Sequence, residues 1–114
     1  MNIDDVIVVI DSKNNVPIRL TYKQWVHIID THDYMSGCMD MVIETLSEPD
    51  CIARGWTDEL IALKGYAKTI ISRKTVVVVY KESLDSGFVI TAFMTSKPEN
   101  IGIVKNKMKS GDTN

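Results

Sequence analysis

The sequence predicts an α+β domain: an antiparallel sheet of about four strands with two N-terminal helices packed on one side, preceded by an extra β-hairpin. Three observations predict it. Residues 75–80 (Thr-Val-Val-Val-Val-Tyr) and 88–95 (Phe-Val-Ile-Thr-Ala-Phe-Met-Thr) are β-branched and aromatic runs joined by the polar connection 81–87, which reads as a hairpin. The unbroken valines predict a central strand covered on both faces. Upstream, apolar residues recur at helical spacing in two stretches, and 114 residues suffice for one domain that folds without disulfides or metal.

Taken in order, residues 4–11 and 16–20 are β-rich and flank Ser12-Lys13-Asn14-Asn15, a turn in which asparagine tolerates left-handed φ. Pro17 fits a strand start, where no ladder bond is lost. Thr21-Tyr22-Lys23-Gln24 matches a capping box: the Thr21 hydroxyl accepts from the third helical N–H and Gln24 reaches back. Tyr22, Trp25, Val26, Ile28 and Ile29 then gather on one helix face. His32 falls on the flank of that face and His27 on the other side, their rings splayed by about 140° if both are helical. Residues 33–37 break the helix, and Ser36 caps a second helix ending near Ser47, with Met39, Val42, Ile43 and Leu46 as its apolar stripe. Residues 50–54 and 59–66 form another hairpin about Gly55-Trp56-Thr57-Asp58. Residues 67–74 read equally as a strand extension or a bulge. The expected organisation is a hairpin extension over 1–20, the main α+β domain over 21–104 and a polar tail over 105–114.

Charge is uneven along the chain. The formal total is −2, yet residues 54–81 carry six basic residues against Asp58 and Glu59, while residues 1–53 carry three against nine acidic ones. Two unclustered cysteines and no signal peptide predict a reduced, cytoplasmic setting. No apolar run approaches the roughly 20 residues needed to span a bilayer, so no membrane partner is expected. Cys38 and Cys51 lack paired metal-ligand spacing, and no zinc site or other cofactor is expected. Phosphate-loop, dinucleotide and nucleophile-elbow motifs are absent as well.

One constellation carries chemistry. Cleaving RNA without a metal needs groups that exchange protons and cations that hold phosphate. His27, His32, Lys64, Lys68, Arg73 and Lys81 supply those types, and Tyr66, Tyr80 and Phe93 supply rings for base stacking.

The series Leu20-Thr21-x3-Trp25-x-His27-Ile28-x3-His32, then Glu44-x4-Pro49-Asp50-x-Ile52, then Lys64-x-Tyr66, the valine strand and Gly87-Phe88-Val89-Ile90-Thr91-Ala92-Phe93 resembles small phage- and toxin-associated nuclease-like domains. These belong to the superfamily of barnase, EndoU, colicin-type and RelE-like ribonucleases. The resemblance covers residues 20–96 and implies one or two helices on an antiparallel sheet. It makes His27 and His32 candidate acid–base residues, Lys64 and Arg73 candidate phosphate contacts, and Thr91 a polar site residue. Asp33 stands where such sequences commonly place a proline. The implied function is a metal-independent endoribonuclease, a toxin with an antitoxin-like protein partner. The alternative is a non-catalytic protein-interaction module of the same fold, in which the N-terminal hairpin supports a homodimer.

Overall fold

A computed structural model describes residues 2–67 and 73–101. The chain begins with a hairpin of β1 (Val6–Asp11) and β2 (Pro17–Thr21). Asn15 in its turn has φ 63°, as the turn chemistry predicts. Ser12 is buried there, its Oγ accepting from the N–H groups of Asn14 and Val16 at 3.2 and 3.3 Å. The Ser12 N–H donates to the Val16 carbonyl, so by ladder alternation the next pair, Asp11–Pro17, has no bond to lose.

Helix α1 (Tyr22–Thr31) starts where predicted, with Thr21 Oγ1 accepting from the Gln24 N–H at 3.1 Å. The reciprocal half of the capping box is not made, because the Gln24 amide donates to the Ile90 carbonyl instead. Of the expected apolar face, Ile28 is buried and Trp25 packs on the core, while Tyr22 and Val26 stay exposed. A 3-10 turn spans Asp33–Gly37, and α2 (Met39–Ser47) begins after Cys38 rather than being capped by Ser36. Val42 and Leu46 lie fully buried, with Met39 and Ile43 packed beside them, as the stripe requires. Four strands follow: β3 (Cys51–Arg54), β4 (Leu60–Tyr66), β5 (Lys74–Glu82) and β6 (Gly87–Thr95). A second 3-10 turn, Pro98–Asn100, ends the described chain apart from Ile101.

The strands form one mixed sheet in the order β1-β2-β6-β5-β4-β3. The α+β class with two helices stands, but the sheet has six strands rather than about four and is not purely antiparallel. The N-terminal hairpin joins it through β2, which runs parallel to β6 at Ile18–Gly87 and Arg19–Phe88. Gly87 permits this junction. A Cβ there would lie 2.1 Å from the Lys81 carbonyl oxygen and 2.7 Å from Ile18 Cδ1.

The sheet has two unlike faces. One is covered by α1 and α2 and holds the main core, in which Ile18, Leu20, Ala62, Val78, Tyr80 and Ala92 meet Ile28, Val42 and Leu46. Among the described residues no α-helix packs on the other, which holds a smaller cluster of Ala53, Ile61, Leu63 and Val77, with Phe93 and Ile101 against it. Val76, Val77 and Val78 are all fully buried, so β5 is covered on both faces, as its unbroken valines predict. On β6, Ala92 and Met94 face the helices and Thr91 and Phe93 the helix-free side. Strict alternation along the sequence would set Ile90, Ala92 and Met94 on one face and Thr91, Phe93 and Thr95 on the other, and a bulge alters it. Register passes from Val79–Thr91 to Tyr80–Val89, which leaves Ile90 unpaired and turns Val89 into the core. No helix among the described residues is long and apolar enough to cross a membrane. The geometry of residues 68–72 and the tail over 105–114 lie outside the described residues.

Candidate functional site

Strand β6 pairs with β2 only at its first two residues, so its later half presents a backbone edge. Such an edge invites pairing with other chains unless it is covered. Here α1 and the turn after it cover it: the Gln24 amide holds the Ile90 carbonyl, and the Met94 N–H donates to the Tyr34 hydroxyl at 3.3 Å. Tyr34 Oη in turn lies 3.3 Å from Nδ1 of His32. Because the hydroxyl already accepts from Met94, its own proton is available to Nδ1, an arrangement that fits the tautomer with its proton on Nε2.

His32 is the C-cap of α1, where helical geometry ends. Its half-buried ring packs against Tyr34 at 5.7 Å and against Phe93 at 5.5 Å between centroids. Phe93 faces the helix-free side, and Thr91 lies two residues earlier on the same side. Three of the sequence-predicted residues, His32, Phe93 and Thr91, therefore share one margin of the sheet. Lys81 stands on the same face further along β5, its Nζ donating to the Thr57 carbonyl at 2.9 Å.

Other candidates are not brought to this margin. Lys64 pairs with Val76 in a row that faces the helices, and its ammonium donates to the Glu48 carbonyl at 2.9 Å and lies 3.9 Å from Asp50. Glu48 is the C-cap of α2, so Lys64 neutralises the negative end of that helix. Tyr66 is tied to the same helix through a 2.6 Å hydrogen bond to Glu44, and burial together with that bond raises its hydroxyl pKa. Arg73 is exposed at the rim of a 430 Å³ cavity with Tyr66, Lys74 and Thr95. Lys64 and Thr91 stand on opposite faces, so Lys64 does not converge with Thr91. His27 is exposed on α1, in a shallow groove with Ile3, Tyr22, Val26 and Asp30. Tyr80 does not offer a stacking surface: it is fully buried in the main core, and its hydroxyl has no hydrogen-bond partner among the described residues. Lys68 lies outside the described residues.

Two residues that sequence reasoning passed over join the helix-free face. The parallel register places Arg19 of β2 beside Phe88, and the antiparallel register places Lys81 on the other side of Phe88. Alternation within β2, where Ile18 and Leu20 are buried, marks Arg19 as pointing away from the core. Its neighbour across the strands could not be read locally, because that pairing spans most of the chain.

Among the described residues, no three His, Cys, Asp or Glu side chains gather to hold a metal ion. Burial raises the Cys38 thiol pKa, which disfavours the reactive thiolate. No family model, curated protein or solved structure matches this chain.

Proposed function

We propose that this protein is a metal-independent, ribonuclease-like domain that takes single-stranded RNA on the helix-free face of its sheet, with His32 as proton-transfer group. The observation that carries the reading is the meeting of His32 with Phe93 beside Thr91 on that face. Phe93 supplies a ring for base stacking. Tyr34 orients the imidazole at Nδ1, and the protonated ring gives its Nε2 proton to the leaving oxygen and is left as neutral imidazole. Lys64 serves α2 in this reading, and the phosphate-holding role passes to cations on the helix-free face. His27 has no part in it.

Incubating the purified chain with unstructured RNA in chelator tests this. Wild type should cleave, His27→Ala should cleave as well, and His32→Ala should lose on the order of 100-fold or more in rate. Absence of cleavage by wild type, or an unchanged rate in His32→Ala, would sink the catalytic reading.

A second reading, a non-catalytic interaction module, is favoured by one observation. Val6 and Val9 of the outermost strand β1 are about half exposed, and Ile3 continues that apolar margin. This reading predicts a homodimer in sedimentation equilibrium that Val9→Lys converts to monomer. A monomeric wild type would remove it.

A further inference from the structure

The cross-strand row Val9, Arg19, Phe88, Lys81 is assembled by three strands that lie far apart in sequence. At its centre Phe88 is 45% exposed, unusual for a large ring in the interior of a sheet. Arg19 lies half-buried on one side of that ring, and among the described residues its guanidinium makes no hydrogen bond or ion pair. Lys81 flanks the other side, anchored at the Thr57 carbonyl with a second and third N–H remaining. The loop from β5 to β6 closes the end of the row. Together Arg19, Lys81, Glu82, Ser83, Ser86 and Phe88 line a hollow of about 240 Å³.

We propose that Arg19, Phe88 and Lys81 form a nucleotide subsite in which Phe88 stacks on a base while Arg19 and Lys81 hold the phosphates that flank it. This rests on the reading of the helix-free face as an RNA surface and deepens it. An aromatic face takes any base by stacking, and a planar guanidinium matches two phosphate oxygens at once. The subsite lies on the same strand and the same face as Thr91 and Phe93. RNA running along β6 thus meets Phe88 first and the His32 margin second. The subsite contributes affinity and register, and His32 contributes chemistry.

The two contributions separate in one experiment. Fluorescence anisotropy with a labelled oligouridylate, in chelator, is measured for wild type, Arg19→Gln, Phe88→Ala, Phe88→Leu and His32→Ala, with circular dichroism melts as the control for folding. Arg19→Gln and Phe88→Ala should each weaken binding on the order of tenfold. Phe88→Leu keeps an apolar side chain on the strand without a ring and should weaken it similarly. Arg19→Gln should also flatten the salt dependence by about one phosphate contact. His32→Ala should bind as tightly as wild type. Affinities of Arg19→Gln and both Phe88 variants equal to wild type would overturn the subsite while leaving the RNA reading intact. No binding by wild type would remove both. Unchanged binding in Phe88→Leu with a loss in Arg19→Gln would overturn stacking, and competition by uridine monophosphate as effective as by the oligonucleotide would overturn an RNA strand as the ligand.

Discussion

The two faces of the sheet are built from the same strands and differ in what covers them. On the helix side, the inward residues Val76, Val78 and Tyr80 of β5 belong to the main core under α1 and α2. Lys64 and Tyr66, at the margin of that side, hold Glu48 and Glu44 of α2 and its C-terminal end. On the helix-free side, apolar cover among the described residues stops at the cluster around Val77, and Arg19, Phe88, Lys81 and Thr91 stand on the rest of it. A strand residue's chemistry thus decides little by itself. Lysine on the covered face becomes a helix cap, while lysine on the other bonds the carbonyl of a turn residue, Thr57.

This contrast can be broken by substitution, and the largest effect belongs to the covered face. Leu46→Ala, which empties a fully buried site, should lower unfolding free energy by about 2–5 kcal/mol in chemical denaturation. Next comes the seam that lets the N-terminal hairpin join the sheet. Gly87→Ala pushes a methyl group against the Lys81 carbonyl and should cost about 1–3 kcal/mol. It should also weaken RNA binding, since it displaces Arg19 from Phe88.

Smaller effects sharpen the comparison. Tyr66→Phe removes the bond to Glu44 and should cost about 1 kcal/mol, whereas Tyr80→Phe removes a buried hydroxyl with no partner among the described residues and should be neutral or slightly stabilising. Burial raises both hydroxyl pKa values, with the Glu44 bond adding to the rise at Tyr66 and the Glu82 charge to that at Tyr80. A raised folded-state value stabilises the fold below the ordinary tyrosine range, and that contribution is lost as pH climbs past about 10. Wild-type stability should therefore fall on the alkaline side of that value, and less steeply in the double phenylalanine variant. Phe88→Ala, on the helix-free face, should change stability by only about 0.5 kcal/mol while it weakens RNA binding. A stability loss as large as that of Leu46→Ala would erase the distinction between the faces.

Local rules made much of the architecture legible. Valines at 76–79 announced a strand buried on both sides, Thr21 announced the start of α1, and Val42 and Leu46 announced the buried stripe of α2, because each signal depends on neighbours within a few residues. Alternation likewise separated Ala92 and Met94 from Thr91 and Phe93, but it set Ile90 with the first pair, where the bulge leaves it unpaired. The sequence by itself therefore determined the order of the elements, the inward stripe of α2 and His32 as the histidine nearer the sheet. Tertiary structure decided what those elements mean for a site. Only the parallel pairing of β2 with β6 brings Arg19 to Phe88, and only the bulge at Ile90 buries Val89 while keeping Thr91 on the helix-free face. Long-range pairing and the choice of face for Lys64 and Tyr80 arise from how helices and strands close around a shared core. That closure depends on total shape and burial, which no local spacing encodes.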